Sequence, residues 1–354
     1  MDKKNQQSRR SFLLATGGVA AGTLASVHAP AVMASGKQPK FRWKIQTHWP
    51  QGTWYYQAIF QKMADDVKAA TDGELELETH HPGSVVGTGD VLRAVQRGTL
   101  DSAFTWPAYW VGQIPVAGHL NGNLGTWGSH EEMHFFMYDM GALDIIREAY
   151  AERGVYQLGP YSAAGLSVFS KKPVRTIEDF KGFNIRSTGT PAKVFEKLGA
   201  APVSISGEEL YQALQTGVVD GVHWGGVAAG WGMSFQEVTS YILRPNFLGH
   251  TNGEVIINMK KWNELGEDHK QVLDSVLRAT SINSSAQFTY NDYLLMEKFT
   301  KDFNGEIVNM GGDVMEQVRK HSMDVVNEDA KKDEKYSGKV TTLLNEFMRL
   351  TGKA

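Results

Sequence analysis

Apolar and polar positions alternate with period two through Phe41-Arg42-Trp43-Lys44-Ile45-Gln46-Thr47, the pattern of a strand with one buried face. The turn residues His48-Trp49-Pro50-Gln51-Gly52 follow, and then Ile59, Phe60, Met63 and Val67 recur at helical spacing. Alternation returns from Glu74 to His80, ahead of a glycine-rich turn (Gly83 to Gly89) and a helix predicted from Asp90. Met133, Phe136, Met137, Met140, Leu143, Ile146 and Tyr150 fit one face of a single helix, and such a methionine stripe reads as core. Leu166 to Phe169 starts a strand, and Thr176 to Gly182 is a short capped helix stopped by glycine. Phe183 to Arg186 is again a strand, and Pro191 to Leu198 a helix with Val194, Phe195 and Leu198 inward. Strands alternating with helices predict an α/β fold with a largely parallel sheet.

The chain also echoes itself. Residues 94–104 read Ala-Val-Gln-Arg-Gly-Thr-Leu-Asp-Ser-Ala-Phe, and residues 213–223 read Ala-Leu-Gln-Thr-Gly-Val-Val-Asp-Gly-Val-His. Each is a helix end, a glycine stop and a short buried strand, which suggests two lobes of like construction. Paired α/β lobes place a ligand between them, at the carboxyl ends of the strands, where Trp106, His223 and Trp224 fall. From Glu267 to Asn304 there is neither Gly nor Pro. As one helix that stretch would measure roughly 57 Å, enough to bend, to span both lobes or to reach a partner subunit.

Length and charge narrow the classes. The 354 residues, 42% hydrophobic, suffice for two lobes with their own cores. The absence of cysteine excludes disulfides, thiolate metal sites and a cysteine nucleophile. A net charge of −3 with no basic run argues against nucleic acid. Residues 1–34 read as an address rather than as fold. Ser8-Arg9-Arg10-Ser11-Phe12-Leu13-Leu14 has the form of a twin-arginine export motif, and Val32-Met33-Ala34 that of a cleavage site. The expected location is the periplasm.

The candidate chemistry is that of binding. Arg186 ends a predicted strand, and Pro191 opens a helix five residues on. A guanidinium beside a helix N-terminus suits a carboxylate, while a surface salt bridge explains the same arginine equally well. Trp49, Trp54, Tyr55, Trp106, Tyr109, Trp110, Trp224 and Trp231 cluster near the turns, and a subset beside Arg186 would wall an organic ligand. There is no GxSxG elbow, no P-loop and no spaced metal signature, and no cofactor is expected.

Four stretches carry a family resemblance: Thr176-Ile-Glu-Asp-Phe-Lys-Gly-Phe-Asn-Ile-Arg186, Val194-Phe-Glu-Lys-Leu-Gly-Ala200, Glu209-Leu-Tyr-Gln-Ala-Leu-Gln-Thr-Gly-Val-Val-Asp-Gly221 and Val255-Ile-Ile-Asn-Met-Lys-Lys-Trp262. With them the chain, from about Phe41 to Met348, resembles the solute-binding proteins of TRAP (tripartite ATP-independent periplasmic) transporters, nearest the branch for 2-oxo acids and monocarboxylates. The resemblance implies a two-lobed periplasmic solute-binding fold with a ligand cleft between the lobes and a long C-terminal helical region. Expected boundaries are 1–34 for the signal peptide, 35–160 plus 225–268 for lobe I, 161–224 plus 269–305 for lobe II, and 306–354 for a helical extension. It implies a small organic anion as ligand, TRAP membrane subunits as partners, and a homodimer formed by exchange of the long helix. Arg186 stands where the family's carboxylate clamp stands, with Trp224, His223, Trp106, Tyr109 and Trp49 as further ligand-binding candidates. Metal-using members carry an acidic residue where this chain has His223, and a polar one near Ala164. The resemblance therefore implies no metal here, and a protonated His223 in the cation's stead. A receptor for a sensor protein and a secreted enzyme on the same scaffold are the competing readings.

Overall fold

The computed structural model describes residues 38–122, 126–163, 165–248 and 250–353. The export motif, its cleavage site and Ala164 lie outside the described residues. The described strands are β1 (Phe41–Thr47), β2 (Leu75–His80), β3 (Ser102–Thr105), β4 (Val155–Ala163), β5 (Leu166–Ser170), β6 (Asn184–Arg186), β7 (Ala201–Val203), β8 (Gly221–Trp224), β9 (Tyr241–Leu248), β10 (Thr251–Asn258) and β11 (Glu306–Asn309). They form two sheets, β2-β1-β3-β10-β4 and β11-β9-β5-β8-β6-β7, one for each lobe.

The internal echo is structural. The helix Val91–Arg97 stops at Gly98 with φ 77, and the helix Leu210–Thr216 stops at Gly217 with φ 76. Only glycine takes that left-handed conformation without strain, so each glycine turns the chain back into its sheet. The strands that follow, β3 and β8, hold matching places. Each pairs in parallel on one side, with β1 or β6, and antiparallel on the other, with β10 or β5. The sheets are thus mixed rather than largely parallel, because one strand of each, β10 or β5, enters from the other lobe and runs against both its neighbours.

Those crossings correct the expected boundaries. β4 ends lobe I at Ala163 and β5 opens lobe II at Leu166, while β9 ends in lobe II at Leu248 and β10 opens in lobe I at Thr251. β9, expected in lobe I, pairs with β5 and β11 in the second sheet. β11, expected in a helical extension, is the edge of that sheet. β9 and β10 both mix apolar with polar residues, and nothing in their pattern marks the change of lobe between them. The single helix expected from Met133 to Tyr150 is also broken. Gly141 adopts φ 80 and splits it into His130–Asp139 and Ala142–Ala151, although Met133, Phe136, Met137, Leu143, Ile146 and Tyr150 still share one core.

The long segment is one helix, Glu267–Asp302, of 36 residues, and it touches both lobes. Leu273 and Leu277 pack in the core of lobe I, and Phe299 in that of lobe II. Where the helix passes the crossings, a buried polar cluster forms around Ser162, the penultimate residue of β4. The Ser162 hydroxyl lies 2.7 Å from His130 Nδ1, 2.9 Å from His250 Nε2 and 3.0 Å from Ser281 Oγ. Ser281 Oγ also accepts the Ser162 backbone N–H at 2.9 Å, and Ser284 donates to the Ser162 carbonyl at 2.5 Å. This cluster ties both crossing strands to the long helix.

Candidate functional site

β6 runs between β7 and β8 and ends at Arg186, whose side chain is 6% exposed. Its guanidinium is held from the protein side. Nε donates to the Ile205 carbonyl at 3.0 Å, Nη1 to the His223 carbonyl at 3.2 Å, and the group sits 4.8 Å from the Trp224 ring centre. No Asp or Glu among the described residues pairs with it. Burial lowers its pKa, and Tyr109 opposes that shift. A buried guanidinium without a counter-ion is costly, by several kcal/mol, unless an anion joins it.

The guanidinium faces a cavity between the lobes. β3 and β8 bring Trp106, His223 and Trp224 to its wall from opposite sheets, at the carboxyl ends of the echoed strands. Trp224 packs against the cores of both lobes, and Trp106 reaches across to lobe II. The six candidate residues Arg186, Trp224, His223, Trp106, Tyr109 and Trp49 all line this one cavity. Trp49 does so as part of lobe I, with its ring 5.0 Å from those of Tyr55 and Phe104. Three of the clustered aromatics do not line it. Trp110 is buried in the core, donating to Tyr150 Oη at 3.0 Å, Trp231 packs on Phe303, and Trp54 packs on Phe288. The helix after Arg186 starts at Gly189, with Thr188 as its cap, so Pro191 is its third residue rather than its first. Both Thr188 and Pro191 border the cavity.

Position in the fold decides the state of His223. It is 3% exposed, Nδ1 lies 3.4 Å from Ser187 Oγ, and Nε2 is buried without a partner. Burial, aided by the neighbouring Arg186 charge, lowers its pKa to about 3. In the empty cavity the imidazole is held neutral near pH 7, whereas the expected protonated His223 was one facing a bound anion: without that anion a second cation beside Arg186 is desolvated and repelled.

Sequence reasoning did not single out His48, Asn121 or Phe288, all of which line the cavity. His48 follows β1, has an unpartnered buried Nδ1, and is lowered to about 4 by burial against a backbone hydrogen bond with Phe104. Asn121 is buried with Oδ1 unpartnered, and Phe288 comes from the long helix. Turn placement could have flagged His48, but nothing local marks the other two. The long helix also fixes the segment after Trp224, because Asp292 accepts the Ala228 N–H at 2.7 Å where the helix Val227–Gly232 begins. Trp224 itself is held over Gly207, where a Cβ would stand 2.9 Å from its ring.

Compared with known proteins, residues 45–333 match the family model of the bacterial extracellular solute-binding proteins, family 7. A monocarboxylate 2-oxoacid-binding periplasmic protein of Nostoc is 25% identical over 92% of this chain and 90% of its own length. A TRAP periplasmic solute-binding protein of Pseudoalteromonas atlantica, solved with sodium and pyruvate, superposes with TM-score 0.81 at 21% identity, over 89% of this chain and 95% of that one. A TRAP transporter solute-binding protein of Bordetella bronchiseptica, solved with calcium and picolinate, gives TM-score 0.79 at 21% identity, over 89% of this chain and 94% of that one.

Proposed function

Because this chain belongs to the bacterial extracellular solute-binding proteins of family 7, we propose that it is the substrate-binding subunit of a TRAP transporter. In this reading it captures a small organic acid in the periplasm and presents it to the TRAP membrane subunits. The observation that carries the reading is Arg186: a buried guanidinium, fixed by two carbonyls and an indole, facing an aromatic cavity with no acidic partner among the described residues. Such a group binds a carboxylate through a planar pair of hydrogen bonds. The remaining candidates act around it. Trp224, Trp106, Tyr109 and Trp49 form apolar walls, and neutral His223 offers Nε2 to a polar atom of the ligand. Among the described residues no helix is long and apolar enough to cross a membrane, which fits a protein that works beside its transporter. No residue here needs a catalytic role.

Closure of the lobes follows from the architecture. Two strand crossings, the long helix and the C-terminal helices Gly312–Ala330 and Lys339–Leu350 link them, and an anion held by Arg186 while touching the aromatics of lobe I favours the closed arrangement. The long helix also exposes Ile282, Tyr290, Tyr293 and Leu294 on one side, which supports a homodimer through that face. A single dimeric mass by light scattering at micromolar concentration is the expected result, and a monomer removes the dimer from the proposal.

The test is a thermal-shift screen against organic acids with wild type, Arg186→Ala and Arg186→Lys. A ligand should raise the wild-type midpoint, leave the Ala variant unmoved and move the Lys variant little. An acid that shifts the Ala variant as much as the wild type would refute the assignment.

A further inference from the structure

The wall of the cavity fixes the charge its ligand carries. Among the described residues lining it there is one permanently charged side chain, Arg186, and no Asp or Glu. The other polar side chains are His48, Tyr55, Tyr109, Asn121, Thr188 and His223, all uncharged near neutral pH, with burial keeping the two imidazoles neutral. Three of their buried atoms lack a partner: His223 Nε2, His48 Nδ1 and Asn121 Oδ1. The remainder of the wall is aromatic or aliphatic.

From this inventory we infer that the site takes a metal-free monoanion: one carboxylate against Arg186, an uncharged hydroxyl or oxo group against the orphaned polar atoms, and no second charge of either sign. The inference rests on the binding function proposed above and deepens it. A monoanion leaves the closed site neutral. A dianion leaves a second carboxylate desolvated with no cation to meet it. A zwitterion brings an ammonium with no carboxylate to receive it, and the Trp224 face that might hold it already holds the guanidinium, at 4.8 Å. A bridging metal ion fits no better. Hard cations need several oxygen ligands, and anionic oxygen above all. The wall supplies side-chain oxygen only from two tyrosines, an asparagine and a threonine, with a guanidinium alongside to repel the ion. His223 is the pivotal residue, since its Nε2 can offer a hydrogen bond without adding charge.

The experiment is calorimetric titration of the full chain with two sets of acids, each on one skeleton: lactate, malate and alanine, then phenyllactate, benzylmalonate and phenylalanine. Each titration is run with and without a chelator of divalent ions, in sodium and in sodium-free buffer, and repeated on Arg186→Ala. On whichever skeleton binds, the monoanion should be tighter than the dianion and the zwitterion by about 30-fold or more. Chelator and sodium should change its affinity by less than about twofold. A dianion or zwitterion that binds as tightly, or binding that chelator or sodium removal abolishes, overturns the charge assignment. If Arg186→Ala abolishes that binding too, the transport-receptor reading survives the loss. Silence from all six acids defeats both.

Discussion

Ser162 and Arg186 are both buried polar residues near the junction of the lobes, and their surroundings differ in kind. Around Ser162 the polar partners are supplied from within the chain: two histidines, a serine on the long helix and a backbone contact close the cluster. Around Arg186 the bonds run one way. Two carbonyls and an indole hold the guanidinium, and on the cavity side it meets no anion among the described residues, while His223 Nε2, His48 Nδ1 and Asn121 Oδ1 are equally unpartnered. An unmade buried hydrogen bond costs about 1–3 kcal/mol, and more at a charge. The first cluster contributes stability to the fold. The second stores a deficit that a ligand removes, and that deficit becomes affinity and closure.

The comparison can be broken in several places. The largest effect is expected at the crossing. Ser162→Ala leaves two imidazoles and a serine hydroxyl short of a partner and should cost about 3 kcal/mol in urea denaturation, with ligand affinity almost unchanged. A loss of affinity larger than the loss of stability would mean that the crossing belongs to the site.

Acid titration sharpens the contrast. His250 is lowered to about 4, by burial first and then by the neighbouring His130. A histidine depressed in the folded state contributes stability that is fully present above the unfolded pKa of about 6.5 and is lost as pH falls towards the folded value. His250 should account for up to roughly 3 kcal/mol of acid destabilisation between pH 6.5 and 4, and His250→Asn should remove that share. His223, lowered to about 3, behaves alike in the empty protein. Saturating ligand should reduce its share by placing an anion beside it, and leave the share of His250 intact. Midpoints recorded against pH, with and without ligand, read both.

Smaller still is the role of His223 in binding near neutrality. A neutral imidazole making one hydrogen bond is worth about 1 kcal/mol, so His223→Gln should weaken binding several-fold, equally at every pH from about 5.5 to 8.5. Affinity in wild type should be flat over the same range. A fall with rising pH that the variant abolishes would restore the protonated histidine.

Much of this was legible in the sequence. The echo around Gly98 and Gly217 announced two like lobes, because a glycine stop between helix and strand is a local, conformation-dictated signal. Arg186 was only half legible locally, since its strand end before a helix suited a surface salt bridge equally well, and the family resemblance decided for a carboxylate clamp. Gly141 was a readable break that the apolar stripe masked. The strand exchange was not legible, since the lobe that β9 or β10 joins is set by long-range pairing rather than by its own residues. Nor were Asn121 and Phe288, whose place at the cavity depends on packing between segments far apart in sequence.

The most direct test of the account compares the ligand-free stability of Arg186→Ala and Ser162→Ala by urea denaturation in the same buffer. If Arg186 awaits a partner, its removal takes away an unpaired buried charge along with two bonds to carbonyls, and stability should stay within about 1 kcal/mol of wild type. Ser162→Ala should fall by about 3 kcal/mol beside it. An Arg186→Ala protein destabilised as much as Ser162→Ala would show that the guanidinium holds the fold together rather than waiting for an anion.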